Sequence, residues 1–301
     1  MRLDIHACGI QWARGDNVLK LMLWLAILIL ILLMPDISSS AARSALGIWG
    51  LDVVPSLFPY MVLCRLIADR LRRKSLPAFP VIAVLGLLGG SPSGAAAISS
   101  YAQQGGFSRR RLYALCALTG TISPMFFLGT MRSWNMNTNL CQSLLLSHFG
   151  GALLAFFVVL LFVPSAESAA SSLDASYDSD ASPIVQSVFA VLNVGGCIVF
   201  FSVIAACLSA SLAWMPDVIR VCFHGILEIA GGVHALSTLP LSTHAQGLLL
   251  AAATGFSGFS ILAQNAMFLK DCGIKLPYLT LLALLRSVLS VCLMALILKN
   301  L

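Results

Sequence analysis

Few residues in this chain can do chemistry, and their rarity makes each conspicuous. Arg286 sits midway along an apolar run from Pro277 to Leu298. A guanidinium at that depth binds a carboxylate, pairs with a buried acid or snorkels towards water. Glu228 lies in the stretch 216–236, which also carries Asp217, Arg220, His224 and His234. A carboxyl in a partly dry setting takes up and releases a proton near neutral pH, so Glu228 is the candidate coupling group for a proton or a sodium ion. If its helix lies along the membrane surface, Glu228 belongs instead to a solvated face. His224 and Glu228 stand four apart on one helical face, but the order is not that of an HExxH helix and no cysteine joins it. No metal site and no cofactor are expected.

A second set of useful groups is uncharged. Two apolar stretches, 77–104 and 244–271, are interrupted near their middles by glycine and serine. A half-helix that starts at such a break presents free N–H groups and a partial positive charge, which suits an anionic or strongly polar ligand. Ser91, Ser93 and Gly94 begin one such half-helix, and Ser257, Gly258 and Ser260 begin the other. Glycine allows close backbone approach, and serine donates a hydrogen bond without a fixed charge. Thr121 and Ser123, just before Pro124, and Asn193, just before Gly195, form two further polar breaks. Gln264 and Asn265 follow the second tip by one turn. Each of these residues also reads as tight packing or interhelical hydrogen bonding, both common inside membranes.

Composition says what must position them. Of 301 residues 59% are apolar, and 18 basic and 12 acidic residues make up only 10%, against about 25% in a soluble domain. Mean hydropathy is +0.93. A soluble interior at this length cannot hold that much apolar surface, whereas a bilayer can. This excludes a soluble enzyme, a disordered chain and a nucleic-acid binder. The net charge of +6 comes from Lys and Arg at the ends of apolar runs, where they set topology. Nine cysteines without a CxxC pair read as small packing residues. The protein is expected in the membrane, with the lipid bilayer as its first partner.

A span needs about 20 apolar residues. The stretches 18–34, 46–66, 111–131, 140–163, 183–212 and 277–298 qualify, the first as a retained helix or signal anchor. The stretches 77–104 and 244–271 are expected as re-entrant hairpins, because a half-helix of about 12 residues reaches only about 18 Å into a core of about 30 Å. The stretch 216–236 is expected as an interfacial helix. Val54–Leu63 aligns with Val194–Val203 at an offset of 140, and Gly90–Leu112 with Ser257–Leu279 at an offset of 167. This gives an N-terminal segment and first helix over 1–45, a first repeat over 46–163, an acidic tether over 164–182 and a second repeat over 183–301. Arg70, Arg72, Arg73 and Lys74 before the first hairpin, and Arg109, Arg110 and Arg111 after it, place both its ends on the cytoplasmic side. The repeats are inverted provided that 216–236 does not span.

Several segments together carry a resemblance. They are Val54–Leu63, Gly90–Ala95 as a G-x-P-x-G-A tip, the break ending at Ser123 and Pro124, Val194–Ser202, Gly225–Gly232 around Glu228, and Gly255–Gln264. On these, from residue 46 to the C-terminus, the chain resembles the YlbJ-type sporulation integral membrane proteins, also called stage V sporulation protein V. That family belongs to the nucleoside-recognition or Gate-domain group and is related in architecture to concentrative nucleoside transporters. The resemblance implies an inverted-repeat carrier that moves dipicolinic acid across the outer forespore membrane. Dipicolinate, a small aromatic dicarboxylate, would suit two opposed helix N-termini and the basic side chain of Arg286. The chain departs from the family pattern at Leu118–Ile122 and at Ala230 and Gly231.

The expectation is therefore an all-α polytopic membrane protein of inverted-repeat transporter fold with two re-entrant hairpins. Its substrate is a small polar or anionic solute. It is not expected to be an enzyme, since no Walker A or GxSxG sequence is present. The alternatives are a nucleoside-type carrier and a non-transporting scaffold subunit of a sporulation complex, either of which could be a homo-oligomer or have a membrane partner.

Overall fold

The computed structural model describes residues 5–72, 77–102, 107–134, 136–165 and 182–299, and every element in them is helical. Arg73, Lys74 and most of the expected tether, residues 166–181, lie outside the described residues.

Helix α1 (Ile5–Leu33) ends just before Pro35, which opens α2 (Pro35–Gly47). Proline cannot continue a helix but fits its first turn. Helix α2 runs through a π-helical segment, Ile48–Val53, into α3 (Val54–Arg72). Helices α4 (Ala78–Gly89) and α5 (Ser93–Ala102) fold back on one another. Next come α6 (Arg109–Thr119), a second π-helical segment at Phe126–Thr130, and α7 (Met131–Ser133). The long helices α8 (Thr138–Phe162) and α9 (Pro183–Ser211) follow, capped by the side chains of Asn137 and Ser182. The chain then forms α10 (Asp217–Leu227), α11 (Ile229–Thr238), α12 (Thr243–Phe256), α13 (Gly258–Leu269) and α14 (Leu276–Lys299).

Among the described residues five stretches are long and apolar enough to cross a membrane: Pro35–Ile67, Thr138–Phe162, Pro183–Ser211, Thr243–Leu269 and Leu276–Lys299. Phe162, Phe189, Leu284 and Leu296 on their outer faces are exposed, a surface solvated by lipid rather than water. The protein is an all-α polytopic membrane protein.

Three expectations change. The stretch 216–236 is two helices, α10 and α11, packed on each other, rather than one interfacial helix. Glu228 causes the break. Its backbone is extended (φ −135°, ψ 118°), and its carboxylate turns forward to accept the N–H groups of Ala230 and Gly231, so it caps the second helix while ending the first. The stretch 244–271 is not a hairpin. Its two halves break at Ser257 and part company: α12 packs on α14, α11 and α8, and α13 on α9 and α5. Asn193 does not mark a break either. Helix α9 is continuous, and Gly195 makes room for Trp49, whose Nε1 donates to the Val191 carbonyl at 3.1 Å.

A hairpin, a broken helix and a long helix thus occur twice in the same order: α4–α5, α6–α7 and α8, then α10–α11, α12–α13 and α14. The counterpart of the first hairpin is 217–238. That pairing agrees with the alignment of Val54 to Val194 and replaces the alignment of Gly90 to Ser257.

Candidate solute site at the helix breaks

Helix α4 stops because Gly90 adopts φ 61°, ψ −165°, a region open in practice only to glycine. A Cβ at Gly90 would stand 2.7 Å from the Ser123 nitrogen and 2.8 Å from its Cα, so the hairpin tip lies against the break that follows α6. Ser91 fixes it there. Its N–H donates to the Thr121 carbonyl at 2.8 Å and its Oγ donates to Asn265 Oδ1 at 2.6 Å. One residue thereby ties the first hairpin to the break of its own half and to α13 of the other. Ser93 and Gly94 start α5 without lining the cavity described below; Gly94 lets α5 approach the end of α6 at Thr119. Thr121 is wholly buried and donates to the Leu118 carbonyl at 3.3 Å, so it serves the break through its backbone.

The second half contributes Glu228, which is fully buried and accepts from Ala230 N–H at 2.9 Å and Gly231 N–H at 2.6 Å. Ser257, also buried, takes φ 72° and donates its Oγ to the Thr254 carbonyl at 3.0 Å. A Cβ on Gly258 would meet the Ile229 nitrogen at 3.2 Å, so the break between α12 and α13 abuts the tip between α10 and α11. Ser260 is buried, and its Oγ has no hydrogen-bond partner in the protein.

These elements enclose a cavity of about 50 Å³, room for a few waters. Ser91, Ser123, Glu228, Ser260 and Gln264 give it polar walls, and Ile122, Phe126, Val194, Ile198 and Ile261 apolar ones. Glu228 is the only ionisable side chain among the described lining residues. Ser56 and Thr130, hydrogen-bonded to each other at 2.9 Å, complete the wall. Both escaped the sequence reading; the sign of Ser56 is Pro55 and Pro59, which flank it inside a helix. Asn193 is half-buried on α9 and does not reach the cavity.

Arg286 stands apart from the cavity and does something else. Its Nε donates to the Gly255 carbonyl at 3.4 Å, and its Nη1 to the carbonyls of Cys116 and Ala117 at 3.4 and 3.3 Å. Those carbonyls end α12 and α6. A buried cation therefore caps the negative ends of both broken helices at once. It supplies Ala117 and Gly255 with the donors that each helix loses by stopping, and adds a second donor to Cys116, which already accepts the Gly120 N–H at 3.0 Å. The site is thus built from three tied parts: two hairpin tips, two breaks and the guanidinium that holds the breaks together.

No protein-family model matches the chain, and no solved structure matches it. It is 24% identical over 311 residues to the "Sporulation integral membrane protein YlbJ" of Bacillus subtilis (strain 168), an alignment that covers 84% of this chain and 76% of that protein. The aligned length takes in most of the helical membrane architecture described above, and this likeness supports placing the chain among the YlbJ-type integral membrane proteins.

Proposed function

We propose that the protein is a secondary transporter of a small polar or anionic solute, not an enzyme, and that it acts in sporulation. The observation that carries the reading is the meeting of two helix hairpins and two helix breaks on one cavity of mixed polar and apolar lining. Helices of 12 and 10 residues are too short to cross a bilayer, so α4–α5 dips into the membrane and returns, and α10–α11 does the same. Interrupted backbone at depth is tolerated where it is buried in protein or lines a wet cavity, as in carriers built from repeats. The two halves are inverted repeats that rock or slide about the site. Likeness to a sporulation membrane protein supports the role in sporulation, and the family resemblance supports dipicolinate as the solute and the outer forespore membrane as the place.

Saturable uptake of labelled dipicolinate into proteoliposomes, abolished by Ser260→Trp, is the expected result. Ser260 is wholly buried in the cavity wall, and an indole there fills the space. The neutral hydroxyl and amide walls around a single acid also favour an uncharged polar solute. Uptake of labelled uridine instead of dipicolinate would establish that second reading, a nucleoside-type carrier. No uptake of either would favour a scaffold subunit that works with a membrane partner.

A further inference from the structure

His224 closes α10 one turn before Glu228, and its carbonyl accepts the Glu228 N–H at 2.7 Å. Its side chain is half-buried, and its Nε2 is buried without a hydrogen bond from the protein. A Cβ placed on Gly231 would stand 2.9 Å from that Nε2 and 3.2 Å from Oε2 of Glu228. Both atoms border the space that the glycine leaves and are therefore no more than about 6 Å apart, within the reach of one bridging water. Glu228 also lines the cavity, which His224 does not.

Few other titratable groups compete. Helices α9, α12 and α13, packed against this hairpin, bring only Cys197, Cys207 and His244. Helix α10 adds Cys222 and the mutually paired Asp217 and Arg220; α11 adds His234, whose ring lies edge-on to Trp134 at 4.8 Å. Asp52, beyond the Ser56 and Thr130 wall, accepts from Trp134 Nε1 at 3.1 Å.

We propose that Glu228 and His224 form one proton-binding pair that loads its proton together with an anionic solute in the adjoining cavity. This deepens the transport reading above and rests on it. With one proton the pair is neutral, whether that proton sits on Nε2 or on Oε2. Without it the pair carries one negative charge beside a cavity whose described walls hold no basic side chain. An anion is repelled by the empty pair and accepted by the loaded one, so each ligand raises the affinity of the other by the same factor. The proton comes from water to Nε2, passes to Oε2 through the bridging water and leaves to water after the solute has crossed. No other bond is made or broken. The pairing explains how a cavity lined by an acid serves a carboxylate: the solute enters with its charge partly compensated.

The test uses proteoliposomes of the full chain with labelled dipicolinate and an entrapped pH dye. Two quantities are read, exchange of labelled for unlabelled dipicolinate at equal pH, and dipicolinate accumulation with proton entry under an inward proton gradient. Wild type should do both. His224→Gln, which removes no hydrogen bond of the fold and does not line the cavity, should weaken dipicolinate exchange at neutral pH, recover it at lower pH where Glu228 alone takes the proton, and lose about tenfold in gradient-driven accumulation and proton entry. Exchange without proton entry in wild type would overturn the pair while leaving the carrier standing. So would a His224→Gln protein that moves protons with the solute as fast as wild type. Absence of exchange in wild type would overturn the transport reading and the pair with it.

Discussion

The two hairpins turn the chain with different chemistry. Between α4 and α5 the turn is made by backbone: Gly90 bends the chain, and the N–H of Ser91 finds the Thr121 carbonyl in a neighbouring element. Between α10 and α11 the turn is made by a side chain: Glu228 caps its own following helix. Both satisfy the free donors of a helix start, which the membrane interior does not. The first tip is held by its backbone to a neighbouring element, whereas the second caps its own helix and adds only a side-chain bond to Ser202 of α9. A hairpin that keeps its capping bonds wherever it packs is the one suited to holding a titratable group beside the cavity.

Substitutions that separate the anchored tip from the self-capped one sharpen this contrast. The largest effect is expected outside both, at Arg286, because it serves the two halves equally. Arg286→Met removes donors from the ends of α6 and α12 and should cost about 3 kcal/mol or more, read as a fall in unfolding temperature of the detergent-solubilised protein. Gly90→Ala forces a Cβ onto the Ser123 backbone and should cost about 2–3 kcal/mol. Its damage should be confined to the first hairpin, with faster hydrogen exchange in α4, α5 and the break after α6 and none added in α10 or α11. Ser91→Ala leaves the buried Asn265 Oδ1 without its donor and should cost about 1–2 kcal/mol, loosening α13 as well as α5. Glu228→Gln should cost least, about 1 kcal/mol, since one capping oxygen remains. The same change should abolish proton-coupled uptake. The contrast breaks if Glu228→Gln disturbs the packing of distant helices more than Ser91→Ala does.

The positions of the breaks were largely legible in the sequence, and their shapes were not. Membrane-length apolar runs interrupted by Gly90 or by Ser257 and Gly258 announce a discontinuity whatever follows, because those residues release the backbone. They do not encode the angle between the halves, so 244–271 resembled 77–104 in composition while its halves diverge. Glu228 was visible as an unusual acid, but an acid that caps a buried half-helix and one that faces water are spelled alike. Its partners, the N–H groups of Ala230 and Gly231, carry no side-chain signature. The cavity residues Ser91, Ser123, Ser260 and Gln264 were anticipated as polar groups near the tips. Ser56 and Thr130 were not: Thr130 ends a π-helical segment that no residue pattern marks, and Ser56 is signalled only by the prolines on either side of it. Arg286 was recognised as buried, yet its targets include a carbonyl 169 residues away in sequence, and backbone oxygens look the same at every position.

The grip of Arg286 also sets an order of synthesis. Helix α6 is made first, α12 much later, and the side chain that caps both arrives only with α14. Until then the carbonyls of Ala117 and Gly255 lack the donor that the finished fold supplies. The caps on the two helix ends are therefore completed only once α14 has been made. A product ending before Leu276 would contain every residue named in the cavity wall and still lack the keystone that sets the wall's shape.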